Sequence, residues 1–208
     1  MSNRRVVVLS GVSGSGKTFL ADELLRNALV QHVPIACDVE MPAAIVSVDD
    51  YFLIDGVYRF DPKAVRPAHQ ACFSRFIDAC QSKTRLVVVD NVNTTTEEIA
   101  PYVLGGESYG YDIEIVTLTA RTQLRCGIFD ILEYCVSRNI HGVQSQVVFA
   151  QHKRIVGRVL PVHWKHSFVP IVLPDDVVAI TRSILPKEQE CLTPAQWIPL
   201  SMKKSRNE

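Results

Sequence analysis

Gly11-Val12-Ser13-Gly14-Ser15-Gly16-Lys17-Thr18 decides the fold of this chain. It fits G-x-x-x-x-G-K-[ST], the phosphate-binding P-loop or Walker A pattern, at every fixed position. Arg4-Arg5-Val6-Val7-Val8-Leu9-Ser10 precedes it and reads as a buried, β-branched strand. Phe19 to Leu25 follows with helical spacing of apolar residues. Glycines let the backbone adopt conformations that a Cβ forbids, so successive N–H groups can converge on an anion at a helix N-terminus. Gly11, Ser13, Gly14, Ser15, Gly16, Lys17 and Thr18 are therefore the expected nucleotide-binding residues. Lys17 neutralises β/γ-phosphate oxygens, and Thr18 offers its hydroxyl to Mg²⁺. The bland alternative is a Gly/Ser-rich turn with a chance lysine. A loop that binds nucleotide without turning it over is a third reading.

Working outward, strands are expected at 5–10, 44–48, 85–90 and 111–118, and helices at 17–31, 68–81, 121–137 and 145–159. A short helix after Thr94 or Thr95 carries Glu97 and Glu98 in its first turn. Gly105, Gly106 and Gly110 are expected to weaken and end it. The stretch from Asp49 to Pro67 reads mostly as loop. Alternating strands and helices imply right-handed βαβ units. The predicted fold class is α/β: a P-loop NTPase three-layer sandwich, with a mainly parallel sheet and helices on both faces. The expected domains are a P-loop kinase/ATPase domain over 1–160 and a Pro-rich C-terminal extension over 161–208. The extension packs on the core, with one helix at 175–185 and a basic frayed tail at Lys203-Lys204-Ser205-Arg206.

Composition narrows the class. The chain has 208 residues, 47% hydrophobic and 21% charged, as an ordinary globular protein has. Its 22 basic and 22 acidic residues cancel, which argues against wholesale electrostatic capture of nucleic acid. Residues 151–208 nevertheless hold nine Lys/Arg against five Asp/Glu, leaving a local basic surface open. The six cysteines form no Cys-x-x-Cys, so thiols in a reducing compartment are expected, not a zinc or redox site. With a strand expected from residue 5, no signal or transit peptide is expected, and no apolar run reaches membrane-spanning length. The expected location is cytoplasmic, with the nucleus open, and no membrane partner is expected.

Ligands of parallel sheets sit at the carboxyl ends of the strands. The P-loop, Asp49 and Asp90 each follow a predicted strand, so they converge on one edge. Asp49 is the candidate base that takes the proton of an acceptor hydroxyl. Asp50 supports it, contacts the acceptor, or caps a turn. Asp90, closing Leu86-Val87-Val88-Val89, is the candidate Mg²⁺ carboxylate beside Thr18. Asn91 and Asn93 could hydrogen-bond the acceptor or form a turn. Arg138-Asn139-Ile140-His141-Gly142 breaks two helices and suits a lid. Arg138 is the candidate for transition-state charge, with Arg121 and Arg125 as alternatives. His141, His163 and His166 read as surface histidines.

Assembled in order, Val46 to Phe52, Asp55 to Asp61, Ala68-His69, Val89 to Thr94, Pro101-Tyr102-Val103 and Arg138 to Val143 resemble a known group. It is the P-loop kinase module of the polynucleotide 5′-hydroxyl kinases, in particular their small AAA-type ATPase/kinase domains. The resemblance covers roughly residues 5–155. It implies ATP-dependent transfer to a 5′-hydroxyl of a nucleic-acid end, with Asp49 as general base and the lid arginine near Arg138. Phe52 stands where members of the group carry an acceptor-contacting arginine; Val92 and Gln144 also depart. The expected function is therefore a Mg²⁺- and ATP-dependent phosphotransferase with a polynucleotide or nucleoside 5′-OH acceptor. The alternatives are a small-metabolite kinase resembling gluconate kinases and a non-catalytic nucleotide-binding interaction module.

Overall fold

The computed structural model describes residues 4–31, 41–119 and 128–171. The alternative lid arginines Arg121 and Arg125, the expected helix at 175–185 and the basic tail lie outside them. Five parallel strands form the sheet in the order β2-β5-β1-β6-β7. They are β1 (Arg5–Ser10), β2 (Ala43–Val46), β5 (Leu86–Asp90), β6 (Asp112–Thr119) and β7 (His166–Pro170). The P-loop strand β1 sits in the centre, where both neighbours shield it and all six of its residues are buried. Such a strand has no solvent face, which is why it reads as a continuous apolar run.

Its side chains still alternate between two cores. Val7 and Leu9 pack under α1 (Lys17–Gln31) with Leu20, Ala21 and Leu24. Val6 and Val8 pack on the other face, against Cys72 and Phe76 of α2 (Val65–Gln81) and Ile99 and Val103 of α3 (Thr96–Ser108). This is the expected three-layer α/β sandwich. A third cluster joins α4 (Ile128–Arg138) to α5 (Ser145–Gly157) and reaches the P-loop through Val12.

Thr95 caps α3 in a reciprocal box with Glu98: the Glu98 amide donates to the Thr95 hydroxyl at 3.3 Å, and Glu98 Oε2 accepts from the Thr95 amide at 3.2 Å. Of the three glycines, Gly110 ends α3 as expected, with φ of 77° just past the C-cap Tyr109, whereas Gly105 and Gly106 do not interrupt it. The helix runs through Gly105 and Gly106 to Ser108. A Cβ at Gly106 would lie 2.5 Å from Ile113 Cδ1, so the missing side chain lets α3 sit close on the sheet.

Two features depart from the expected pattern. The stretch after β2 is not plain loop: a 3-10 turn (Asp49–Phe52) leads into a hairpin of β3 (Leu53–Ile54) and β4 (Val57–Tyr58). Asp55 and Gly56 turn it with φ of 51° and 77°. And β7 arises within the segment that its prolines marked as irregular. It lies at the sheet edge, where a proline costs least.

Among the described residues, no helix is long and apolar enough to cross a membrane.

Candidate functional site

The P-loop joins β1 to α1. Gly14 and Gly16 hold φ of 78° and 96°, conformations that L side chains rarely adopt. Gly14 is also pressed against α4: a Cβ there would lie 1.9 Å from the Cys135 carbonyl oxygen. Lys17 is buried, and its ammonium donates to the carbonyls of Gly11 (3.0 Å) and Val12 (2.9 Å). Burial lowers its pKa, against the pull of Asp90 and Asp49. The Ser15 hydroxyl is buried with no hydrogen-bond partner among the described residues.

Asp90 closes β5 and is buried. Burial raises its pKa, opposed by Lys17 and by a hydrogen bond to Thr18. The protein therefore keeps a buried cation and an orphaned hydroxyl on the P-loop and a buried carboxylate at the end of the neighbouring strand β5, each held at a cost. A nucleotide phosphate with its Mg²⁺ fits this set. The phosphate would take the positive charge and the spare donor, and the metal would take the Thr18 hydroxyl and the Asp90 carboxylate.

Asp49 lies three residues beyond the end of β2 and is exposed. Tyr58 of the hairpin donates to its Oδ1 at 2.9 Å. His141, from the loop between α4 and α5, places Nε2 3.4 Å from its Oδ2. The Tyr58 and His141 rings meet at 4.1 Å between centroids. The hairpin and the α4–α5 loop thus touch each other over Asp49. His141 is exposed, as the surface reading expects, yet the folded chain also brings position 141 beside position 49.

A cavity of about 570 Å³ opens between these parts. Its lining includes Ser13 of the P-loop, Asp49, the rings of Phe52, Tyr58, Phe60, His69 and His141, and the α5 side chains Val147, Gln151 and Arg154. Gln151 ties α5 to the loop, accepting from the Ser13 amide at 2.9 Å and donating to the Ser13 hydroxyl at 3.2 Å.

The other sequence candidates are spent within the protein. Asp50 pairs with Arg75 of α2 at 2.9 Å. Asn91 accepts from the Val48 amide at 2.8 Å and donates to the Tyr102 hydroxyl at 3.2 Å, which pins β2 to β5. Asn93 takes a φ of 45°, which asparagine tolerates, and donates to the Leu9 carbonyl at 2.7 Å. Both asparagines border the cavity, yet their amides hold the loop that shapes it. Arg138 lies in the last turn of α4 with its guanidinium 5.1 Å from the Tyr134 ring centroid, one turn beyond the carbonyl that abuts Gly14.

Gln151 and Arg154 were not legible as site residues, since nothing local marks them. The one hint is spacing: 147, 151, 154 and 158 fall on one face of a helix.

A parallel sheet whose central strand feeds a P-loop, with carboxylates at the ends of β2 and β5 and a helical cover, defines the P-loop kinase fold. Residues 6–154 match the AAA domain family, and the chain belongs to it. It is 28% identical over 172 residues to human NEDD4-binding protein 2, covering 83% of this chain and 8% of that protein. The chain thus spans under a tenth of the length of that curated relative. Among solved structures, it resembles a putative kinase from Chloroflexus aurantiacus J-10-fl: TM-score 0.54, 18% identity, 88% of this chain and 95% of that one. It also resembles a chain of the Pnkp1/Rnl/Hen1 RNA repair complex: TM-score 0.52, 15% identity, 74% of this chain and 44% of that one.

Proposed function

We propose that this protein transfers the γ-phosphoryl group of ATP to a 5′-hydroxyl of a nucleic-acid end or nucleoside. The observation that carries this reading is the shared cavity. Ser13 of the phosphate loop and Asp49 line one space of about 570 Å³, enough for one nucleotide unit, and five aromatic or imidazole rings wall it. Rings on a cavity wall suit a flat base, which stacks regardless of its sequence. The polynucleotide kinase resemblance and the likeness to the RNA repair complex support the same acceptor.

In this reading Asp49 accepts the proton of the acceptor hydroxyl. The acceptor oxygen forms its bond to the γ-phosphorus as the bond from that phosphorus to the β–γ bridging oxygen breaks, and ADP leaves. Tyr58 and His141 hold the Asp49 carboxylate, one partner to each oxygen. Lys17 swings from the Gly11 and Val12 carbonyls to the phosphates. Thr18 and Asp90 would hold Mg²⁺, which would supply positive charge against the charge that develops on the phosphates. Arg138, one turn beyond the Cys135 carbonyl that abuts Gly14, adds a positive charge in this reading. Asn91 and Asn93 shape the acceptor side through the backbone they hold.

The test is transfer of labelled γ-phosphate from ATP to short 5′-OH RNA and DNA oligonucleotides. Asp49→Asn should lower turnover by about 10²- to 10⁴-fold, the usual worth of a general base, with nucleotide affinity kept. Asp49→Asn protein that turns over at the unmodified rate would sink the base assignment. Nucleotide binding with no transfer to either oligonucleotide would shift the acceptor to a small molecule.

A further inference from the structure

The acceptor cavity does not end blindly. Arg154 also lines a second, shallower groove of about 600 Å³. Thr95, which caps α3, Thr96 and Glu97 of its first turn, and Lys153, Gly157 and Arg158 of the α5 end complete it. The two spaces run side by side around one stretch of chain, since Thr94 and Glu98 face the first while Thr95 to Glu97 face the second.

The charges of the groove divide cleanly. Arg158 forms its floor and is spent on the Ser10 hydroxyl (2.6 Å) and the Asn93 carbonyl (2.7 Å). Glu98 turns its carboxylate inward to the amides of Thr94 and Thr95. Lys153 and Arg154 are exposed, and neither joins an ion pair among the described residues. One acidic side chain, the fully exposed Glu97, opposes them in the groove.

We propose that this groove binds the phosphodiester that follows the terminal nucleotide, so that the preferred acceptor is a strand and not a single nucleoside. The inference rests on the 5′-hydroxyl reading of the first cavity. A ring-lined cavity followed by a cationic groove repeats the order of a nucleotide chain, base site then phosphate site. Arg154 stands at the junction, within reach of the first phosphate, and Lys153 lies further out. A free phosphate or a mononucleotide would satisfy only one of the two spaces.

The experiment measures KM for 5′-OH acceptors of one, two and four nucleotides, in unmodified protein, Lys153→Glu and Arg154→Gln. The unmodified protein should show a KM that falls up to about fivefold from nucleoside to dinucleotide, the upper end for an exposed ionic contact. Lys153→Glu should erase most of the further gain with length and reduce the salt slope of oligonucleotide binding by about 0.7, one phosphate contact on a single strand. Arg154→Gln should lose the step at the dinucleotide. Transfer that proceeds equally well to nucleoside and tetranucleotide overturns the groove and leaves the 5′-hydroxyl reading standing. So does a Lys153→Glu effect of equal size on both. Absence of transfer to any 5′-OH acceptor removes the reading and the groove together. Lys153 is exposed, so its replacement leaves the core untouched.

Discussion

Two pairs of opposite charge are buried on the central sheet, and they are handled in opposite ways. At the start of β1, Arg5 meets Glu114 of β6 directly at 2.8 Å, and Ser167 and Lys165 add to the same carboxylate at 3.0 and 3.5 Å. At the other end, Lys17 spends its donors on the Gly11 and Val12 carbonyls while Asp90 bonds Thr18. Burial pushes Lys17 down and Asp90 up, each towards its neutral form. The first pair is closed and serves to lock strands. The second makes no ion pair among the described residues, and its desolvation is offset only in part, by mutual attraction, by the two carbonyls and by Thr18. In the proposed function, the working site is the one where the protein's own groups compensate charge burial incompletely.

The sharpest way to break this comparison is to remove one cation from each end. Lys17→Ala should cut phosphoryl transfer by about 10³-fold, the scale of losing a preorganised charge on the transferring group. Its thermal stability should stay level or rise, because a costly buried ammonium is gone. Transfer assays and thermal melts on the same preparation check both halves. A large fall in stability would mean that Lys17 is a structural cation after all.

Arg5→Met should do the reverse. It strands Glu114 in the interior and should cost about 3 kcal/mol, as breaking a buried pair does. Lys165 is the neighbour able to soften that loss, from 3.5 Å. Urea unfolding measures the cost. The turnover of the fraction that remains folded should equal that of the unmodified protein, because Arg5 sits at the far end of the strand from the loop. Lowered turnover in that fraction would show that the two ends are coupled through β1.

The same contrast explains what could be read from the chain. The P-loop, Asp49 and Asp90 are local signals: each is a residue type at the end of an apolar run, and strand ends converge in a parallel sheet whatever the details. The three-layer fold followed from the same runs. Tyr58 and His141 escaped because their meaning lies in contacts across 9 and 92 positions of sequence with Asp49. Gln151 escaped for the same reason, 138 positions from Ser13. Asn91 and Asn93 were legible as polar residues beside a site, but composition cannot tell a side chain that faces a ligand from one that pins the loop behind it. The edge strand β7 was hidden by prolines, and only its pairing with β6 from Ile115 to Thr119 reveals it.

The smallest expected effect lies between the two ends, where β7 joins the sheet. Arg158 donates to the Thr117 hydroxyl, and that hydroxyl lies 2.9 Å from His166 Nε2. With one lone pair of the hydroxyl taken by Arg158, its own hydrogen is free to point at an unprotonated ring nitrogen. A proton on that nitrogen would displace this bond and set a second cation near Arg158. Burial first and Arg158 second accordingly lower the His166 pKa below the ordinary 6.5. The unfolded chain then binds the proton more readily than the folded one as pH falls through 6.5, so folding stability declines on acidification across that window. His166→Gln keeps a polar group at the position but no longer titrates. Its stability should change less between about pH 7 and pH 5 than that of the unmodified protein. Some slope should remain, because burial also lowers His152. Urea midpoints measured across that range decide the matter. Parallel curves for the two proteins would mean that His166 accepts its proton in the folded state without losing the Thr117 contact.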